Sequence, residues 1–232
     1  MKISKSRAAA AAILALSGAA QAALIDRGGG LIYDNTLNLT WLADMNYAKT
    51  SGHTAGIGAN GRMTWDAAKL WADNLVYGGF SDWRLPTLNP SDTSCSLSVN
   101  PGGAFSQQYY GFNCTGGELS HLFVTDLGNR ADESVLNQTG DTQTQKDNFA
   151  LFSNVQEYTY WSGTEFAPVP NSAWDFSTYV GFQDYFDAKS NALYAVAVRP
   201  GDVAASVPEP QTLALALLAL GATVVARRRR SR

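Results

Sequence analysis

Apolar and polar residues alternate with a period of two near the start of the chain and again in its C-terminal part, as in half-buried β-strands. Residues 24–42 therefore predict a hairpin with a turn at Asp34 and Asn35. The apolar positions of its two strands are Leu31, Ile32 and Tyr33, then Leu37, Leu39 and Trp41. Later segments rich in aromatic and β-branched residues predict further strands. They are residues 157–166, 172–186 and 191–200.

Helical spacing of apolar residues predicts two helices. Thr64 is a suitable N-cap for the first, over residues 65–76, and Gly78 and Gly79 follow its end. Its apolar positions are Trp65, Ala68, Trp71, Ala72 and Leu75. The second helix covers residues 117–127 and has an apolar face formed by Leu119, Leu122 and Phe123.

The segment between these helices, residues 88–116, is rich in Asn, Pro, Ser and Gly and predicts an irregular loop. A polar stretch, 131–148, carries no predicted element. Hairpin, helix, long loop, helix and then strands is an order typical of an α+β fold with a small, loop-decorated sheet. The length from about residue 23 to residue 206 suits one domain with a single core.

Both ends of the chain carry targeting patterns. A basic start, an apolar Ala-rich run and the small residues Ala20 and Ala22 predict a cleaved signal peptide over residues 1–22. Residues 213–226 carry no charge and, as a helix, would reach roughly 21 Å, less than a bilayer core of about 30 Å. The arginines that follow can extend to the lipid headgroups and stay cytoplasmic. We therefore expect a marginal transmembrane helix; the alternative is a buried core helix.

Removing both ends changes the charge of the protein. Between residues 23 and 206 there remain nine of the 17 Lys and Arg and 19 of the 20 Asp and Glu, a net charge of about −10. This charge argues against nucleic acid or another polyanion as a partner. It favours solubility at a cell surface or affinity for cations.

The chain has two cysteines, Cys95 and Cys114, both in the part expected outside the cytoplasm. An oxidising compartment favours a disulfide, and closing a loop of roughly 20 residues would stabilise the fold by about 3 kcal/mol. The alternative is a pair of reactive or metal-binding thiols. It has little support, because the spacing is not that of a CxxC motif and His53 and His121 are the only histidines.

The C-terminal pattern resembles the PEP-CTERM sorting signal of Gram-negative bacteria. It consists of a Pro-Glu-Pro step, an apolar segment and an arginine cluster within residues 207–232. The matching residues are Val207, Pro208, Glu209 and Pro210, then Arg227, Arg228, Arg229 and Arg230. The resemblance implies signal peptidase and an exosortase as processing partners. It also implies a transient inner-membrane anchor, followed by retention at the cell surface or release.

Residues from about Leu24 to Val203 resemble a bacterial domain family found at the C-terminus of the Legionella collagen-like adhesin. The motifs that carry this resemblance include residues 79–87, 160–165, 173–174 and 197–200. The resemblance implies a C-type-lectin-like fold, also similar to formylglycine-generating enzymes, with a small twisted antiparallel sheet, two helices and long loops. Residues 88–116 depart from the family pattern and are interpreted as an insertion pinned by the two cysteines.

The motif residues are expected to act mainly as scaffold, with large buried rings and forked guanidinium donors. They are Trp83, Arg84, Leu85, Pro86, Thr87, Trp161, Trp174 and Arg199. The functional alternative is an exposed tryptophan that stacks on a sugar ring.

Candidate catalytic and metal sites are weak. The chain has no Gly-x-Ser-x-Gly or HExxH motif, and a carboxylate pair such as Asp132 and Glu133 is more typical of a solvated surface than of a glycosidase. The copper-binding cysteine pair of the formylglycine-generating enzymes does not transfer to this chain. No cofactor is expected, although calcium is considered at oxygen-rich loops. The two candidate sets are Asp126, Asn129, Asp132 and Glu133, and Asp141 and Asp147.

Together these features predict a non-catalytic, exported binding or matrix protein whose partner is an exopolysaccharide or another surface component. The alternatives are a hydrolase or modifying enzyme on the same fold, and a purely structural surface protein.

Overall fold

The computed structural model describes residues 24–53, 56 and 58–203. The predicted signal peptide, the residues of the sorting signal and the predicted transmembrane helix 213–226 lie outside the described residues. The α+β class is confirmed, and the arrangement of two antiparallel sheets with short helices is compatible with a C-type-lectin-like fold. The single small sheet expected from the sequence is in fact two sheets.

The first sheet contains four strands in the order β1-β2-β3-β9. Their bounds are Leu24–Gly28, Leu31–Asp34, Leu39–Leu42 and Val198–Pro200. The predicted hairpin is confirmed as β2 and β3, and residues before it add the strand β1. Leu37 lies in the turn and not in a strand, because the Asp34 carboxylate accepts hydrogen bonds from the amides of Thr36 and Leu37 at 2.9 Å.

The second sheet contains five strands in the order β4-β5-β8-β7-β6. In chain order, β4 to β8 are Leu97–Val99, Gln108–Phe112, Thr159–Glu165, Ala173–Ser177 and Phe182–Asp184. The predicted irregular loop is therefore wrong in part, since the insertion supplies β4 and β5 to this sheet. These strands are too short to show a clear alternation in sequence. They form because β5 pairs with β8, a strand much later in the chain.

Helix α2, Trp65–Asp73, confirms the first helix prediction, and Thr64 caps it by accepting a hydrogen bond from the amide of Ala67. The second predicted helix is α3, Glu118–Ser120, continued by a π-helical turn, His121–Asp126. Two short helices were not predicted: α1, Tyr47–Thr50, and α4, Gln143–Phe149.

Two hydrophobic clusters fill the interior. The first contains Trp41, Phe123, Tyr160, Trp174 and Phe176, among others. The second packs α2 against Trp83, Trp161 and Ala197. Tyr160 and Trp161 are adjacent in β6 but belong to different clusters, because successive side chains of a strand point to opposite faces. Strand β6 therefore separates the two clusters.

Candidate functional site

All six tryptophans of the chain lie in the described part and are buried. They are Trp41, Trp65, Trp71, Trp83, Trp161 and Trp174, each at most 7% exposed. Their indole faces are therefore not available at the surface for stacking on a sugar.

Arg84 ties the motif segment to the start of α3. Its guanidinium donates to both carboxylate oxygens of Glu118, at 2.7 and 2.6 Å, and the amide of Thr87 donates to the same carboxylate at 2.8 Å. Leu85 and Pro86 are buried beside this ion pair. Although burial acts in the opposite direction, the hydrogen bonds from Arg84 hold the pKa of Glu118 below its usual value. These contacts hold the two ends of the insertion together.

Arg199 and Trp161 also make contacts that hold the scaffold together. The Arg199 guanidinium donates to Asp82 at 2.8 Å and lies 4.0 Å from the ring centre of Phe80. The indole nitrogen of Trp161 donates to the carbonyl of Met63 at 2.9 Å. Both side chains link segments that are far apart in sequence.

The oxygen-rich loops that were candidates for acid-base chemistry or calcium contain an arginine. Arg130 forms ion pairs with Glu133, at 2.7 Å, and with Asp141. Asp132 is exposed, and Asp147 accepts a hydrogen bond from Gln143. The amide nitrogen of Asn129 donates to the carbonyl of Glu133, and Asp126 lies 3.8 Å from His121. The side-chain oxygen of Asn129 and the Oδ2 atoms of Asp126 and Asp141 are buried without a hydrogen-bond partner.

Potential metal ligands converge at one place in the described part of the chain. The ligand atoms of Asp92, Cys95 and Cys114 lie within 4.8 Å of one another, but the two sulfurs form a disulfide. The Asp92 carboxylate also accepts hydrogen bonds from the amides of Thr115 and Gly116. The predicted disulfide is confirmed, and this group closes the base of the insertion. Calcium binding stays a prediction without an assembled site.

Five aromatic rings form a continuous line from β5 to the end of β8, which we name the aromatic row. Its members, in spatial order, are Phe112, Phe182, Tyr110, Tyr185 and Phe186. Successive ring centres are 4.8, 6.2, 5.0 and 4.0 Å apart. The insertion and the body of the fold each contribute rings, so the row exists only when β5 pairs with β8.

The aromatic row is partly open to solvent. Phe186 is 67% exposed; Tyr110, Phe112 and Phe182 are half-buried, and Tyr185 packs into the first cluster. Gly111 has a φ of +107°, and a Cβ there would lie 2.5 Å from the Ser96 hydroxyl. A glycine is therefore needed between the two insertion rings.

Three carboxylates adjoin the row, and we name Asp175, Asp184 and Asp187 the carboxylate cluster. Asp175 in β7 pairs across the sheet with Asp184 in β8. Asp175 is 2% exposed, and its Oδ2 atom has no hydrogen-bond partner. Burial, together with Asp187 and Asp184, raises the pKa of Asp175 well above its usual value; burial also raises the pKa of Asp184. Burial therefore disfavours the charged forms of Asp175 and Asp184, and the cluster places three carboxyl groups beside the aromatic row.

Helix α2 borders a concavity, an apolar groove of about 390 Å³. Its lining includes His53, Ala67, Leu70, Trp71 and Asn74. The lining of this groove is mostly apolar and has few polar groups, so it offers less to a polar ligand than the aromatic row.

The row and the cluster were not predicted from the sequence. The candidates were tryptophans and loop carboxylates, whereas the rings of the row are tyrosine and phenylalanine in QYYGF, 108–112, and FQDYFD, 182–187. Interleaved aromatic and acidic residues in the second of these segments were the available signal.

Comparison with known proteins places the chain in a family. The model of the Lcl C-terminal domain matches residues 30–199, more than half of the chain. The chain belongs to this family. A PEP-CTERM protein-sorting motif matches residues 206–230, so both resemblances noted from the sequence are confirmed. No curated protein and no solved structure gave a match.

The sorting motif implies export, a transient membrane anchor and processing by an exosortase. With the adhesin-type domain it identifies an exported surface protein. None of the helices in the described part of the chain has the length and apolar content needed to cross a bilayer.

Proposed function

We propose that this exported protein is a non-catalytic polysaccharide-binding protein of the cell surface or extracellular matrix, and that the aromatic row is its binding site. The observation that carries the proposal is the line of rings along the paired inner strands β5 and β8, which ends in the exposed ring of Phe186. Large apolar surface exposed in a contiguous strip is typical of interaction sites.

The chemistry of the row fits a sugar chain. A pyranose ring has an apolar face of C–H groups and a rim of hydroxyls, so a flat aromatic ring can cover the face while nearby polar groups bind the rim. Tyr110 and Tyr185 add hydroxyls to the row, and Asp184 adds a half-buried carboxylate. The line of rings matches an extended polymer better than a small compact ligand.

The polar loops support binding more than catalysis. Glu133 is held by Arg130, at 2.7 Å, and by Asn137, at 3.0 Å, so it is poorly placed to act as a free acid or base. His121 lies in the π-helical turn, and its Nδ1 atom is 3.2 Å from the carbonyl of Thr115. Binding of a polysaccharide at the aromatic row does not require a free acid or base at Glu133 or His121.

The test is a glycan-binding screen with the processed protein purified from its host, followed by titration of the best oligosaccharide. Tyr110→Ala and Phe182→Ala should each weaken binding about tenfold or more, since a lost ring contact of about 1.4 kcal/mol corresponds to that factor. Tyr179→Ala is the matched control, because Tyr179 is 59% exposed and outside the row. Equal losses in all three variants, or no binding to any glycan, would overturn the proposal.

A further inference from the structure

The carboxylate cluster and the aromatic row form one surface. Asp184 lies in the chain between the row members Phe182 and Tyr185, and Asp187 directly follows Phe186. Asp175 faces Asp184 across β7 and β8. A ligand seated on the row therefore lies beside the half-buried Asp184 and Asp187, whereas Asp175, at 2% exposure, lies beneath the surface.

The three carboxyl groups of the cluster have no cationic partner among the described residues. The ion pairs there join Arg27, Arg84, Arg130, Arg199, His121 and Lys189 to other carboxylates. Asp184 accepts from the amide of Tyr185 at 2.7 Å, and Asp187 accepts from the side-chain amide of Asn191 at 2.6 Å. The buried Oδ2 atom of Asp175 has no partner at all. Among the described residues, the Oδ2 atoms of Asp126 and Asp141 are also buried without a partner, but Asp175 is the one that lies across a strand pair from a second carboxylate, Asp184.

The spacing of the oxygens disfavours a single metal ion. In the described part of the chain, the only group of three potential ligand atoms within 4.8 Å is the one at the disulfide, so the three carboxylates do not converge on one point. A positive charge on an organic ligand has a less strict requirement. A protonated amine donates three hydrogen bonds, and it is also attracted by the faces of aromatic rings.

Resting on the proposed function, we infer that the polysaccharide bound by the aromatic row carries protonated amines, and that the carboxylate cluster selects it over neutral and anionic polymers. The net charge of about −10 between residues 23 and 206 adds a long-range attraction of the same sign. The ligand class is thus an amino sugar polymer with free amino groups.

Proton binding provides a further signature. Burial is the main cause of the raised pKa of Asp184, and Asp187 adds to it. An ammonium group nearby would favour the charged carboxylate, so amine binding should release protons from the cluster. Affinity for the amine should accordingly fall as pH decreases through the titration of Asp184.

The experiment is calorimetric titration of the processed protein with three β-1,4-linked hexamers: of glucose, of N-acetylglucosamine and of glucosamine with its amines protonated. The glucosamine hexamer should bind about tenfold tighter than the acetylated one. Asp184→Asn and Asp187→Asn should reduce this preference to about threefold or less, because each should weaken binding of the glucosamine hexamer more than binding of the acetylated hexamer. Asp132→Asn removes the same charge at an exposed position outside the cluster and should keep the preference.

The outcomes separate the two proposals. If the acetylated or neutral hexamer binds the row as tightly as glucosamine, the row binds polysaccharide but the inference about amines is wrong. The inference is also wrong if Asp132→Asn abolishes the preference as fully as Asp184→Asn, or if binding requires calcium. If no hexamer binds and Tyr110→Ala has no effect on any glycan, the proposed function itself fails.

Discussion

Removing the disulfide with the double substitution Cys95→Ala and Cys114→Ala should loosen the half of the aromatic row that the insertion supplies. The cysteines are 19 residues apart in sequence, so the bond closes a loop of roughly 20 residues. Closing a loop of this length lowers the entropy of the unfolded chain enough to stabilise the native state by about 3 kcal/mol. Tyr110 and Phe112 lie inside that loop.

The positions of the tryptophans allow the stability of the body of the fold and that of the insertion to be measured separately. None of the six lies between residues 88 and 116, so tryptophan fluorescence during urea unfolding reports the body of the fold. Hydrogen exchange of the amides of β4 and β5 reports the insertion. Because β5 pairs with β8 and the Gln183 side chain donates to the carbonyl of Tyr109 at 3.3 Å, we expect one cooperative transition that shifts in both measurements.

Glycan affinity should fall together with the stability of the fold. The variant should lose up to about 3 kcal/mol of unfolding free energy, lose exchange protection in β5 and bind the best oligosaccharide at least about tenfold more weakly. The wild-type protein under reducing conditions is the matched control, since it keeps both side chains. Unchanged protection of β5 together with unchanged glycan affinity would refute the view that the disulfide holds the row in place.

Two further predictions concern charged side chains. Glu118→Gln should lower the free energy of unfolding by about 1–3 kcal/mol, because it removes the charge that pairs with the half-buried Arg84. In the same urea titration Glu133→Gln, at a 40% exposed side chain, should lower it by about 1 kcal/mol or less, and equal losses would contradict this prediction. Burial and nearby Asp34, opposed by His121, raise the pKa of Asp126 to about 7. The native state therefore holds a proton that the unfolded state releases near its ordinary pKa. The free energy of unfolding should accordingly fall as the pH rises from about 4 to about 7, by at most about 1.4 kcal/mol per pH unit. Asp126→Asn should reduce this slope, and an identical slope would show the interpretation to be wrong.

Local signals were sufficient to predict much of the fold. Helix α2 has an N-cap at Thr64, apolar residues at helical spacing and glycines after its end, and the structure contains it almost as predicted. The β2–β3 hairpin has alternation and an Asp-initiated turn. In both elements the residues that determine the structure are neighbours in sequence.

The missed features depend on distant partners. Strands β4 and β5 have three and five residues, and their pairing needs β8, which the pattern of the insertion does not reveal. Helix α4 is short and polar, and its capping box between Thr142 and Gln145 was the only local signal. The candidate site has the same origin, because the rings of Tyr110 and Phe182 come together only when the distant strands β5 and β8 pair.

The most direct test of the central claim is a crystal structure of the processed protein with the oligosaccharide that binds most tightly. The account predicts sugar rings stacked on Tyr110, Phe182 and Phe186, with an amine or hydroxyl within hydrogen-bond distance of Asp184. An oligosaccharide seated in the groove beside α2, or anywhere else that leaves the aromatic row bare, would contradict it.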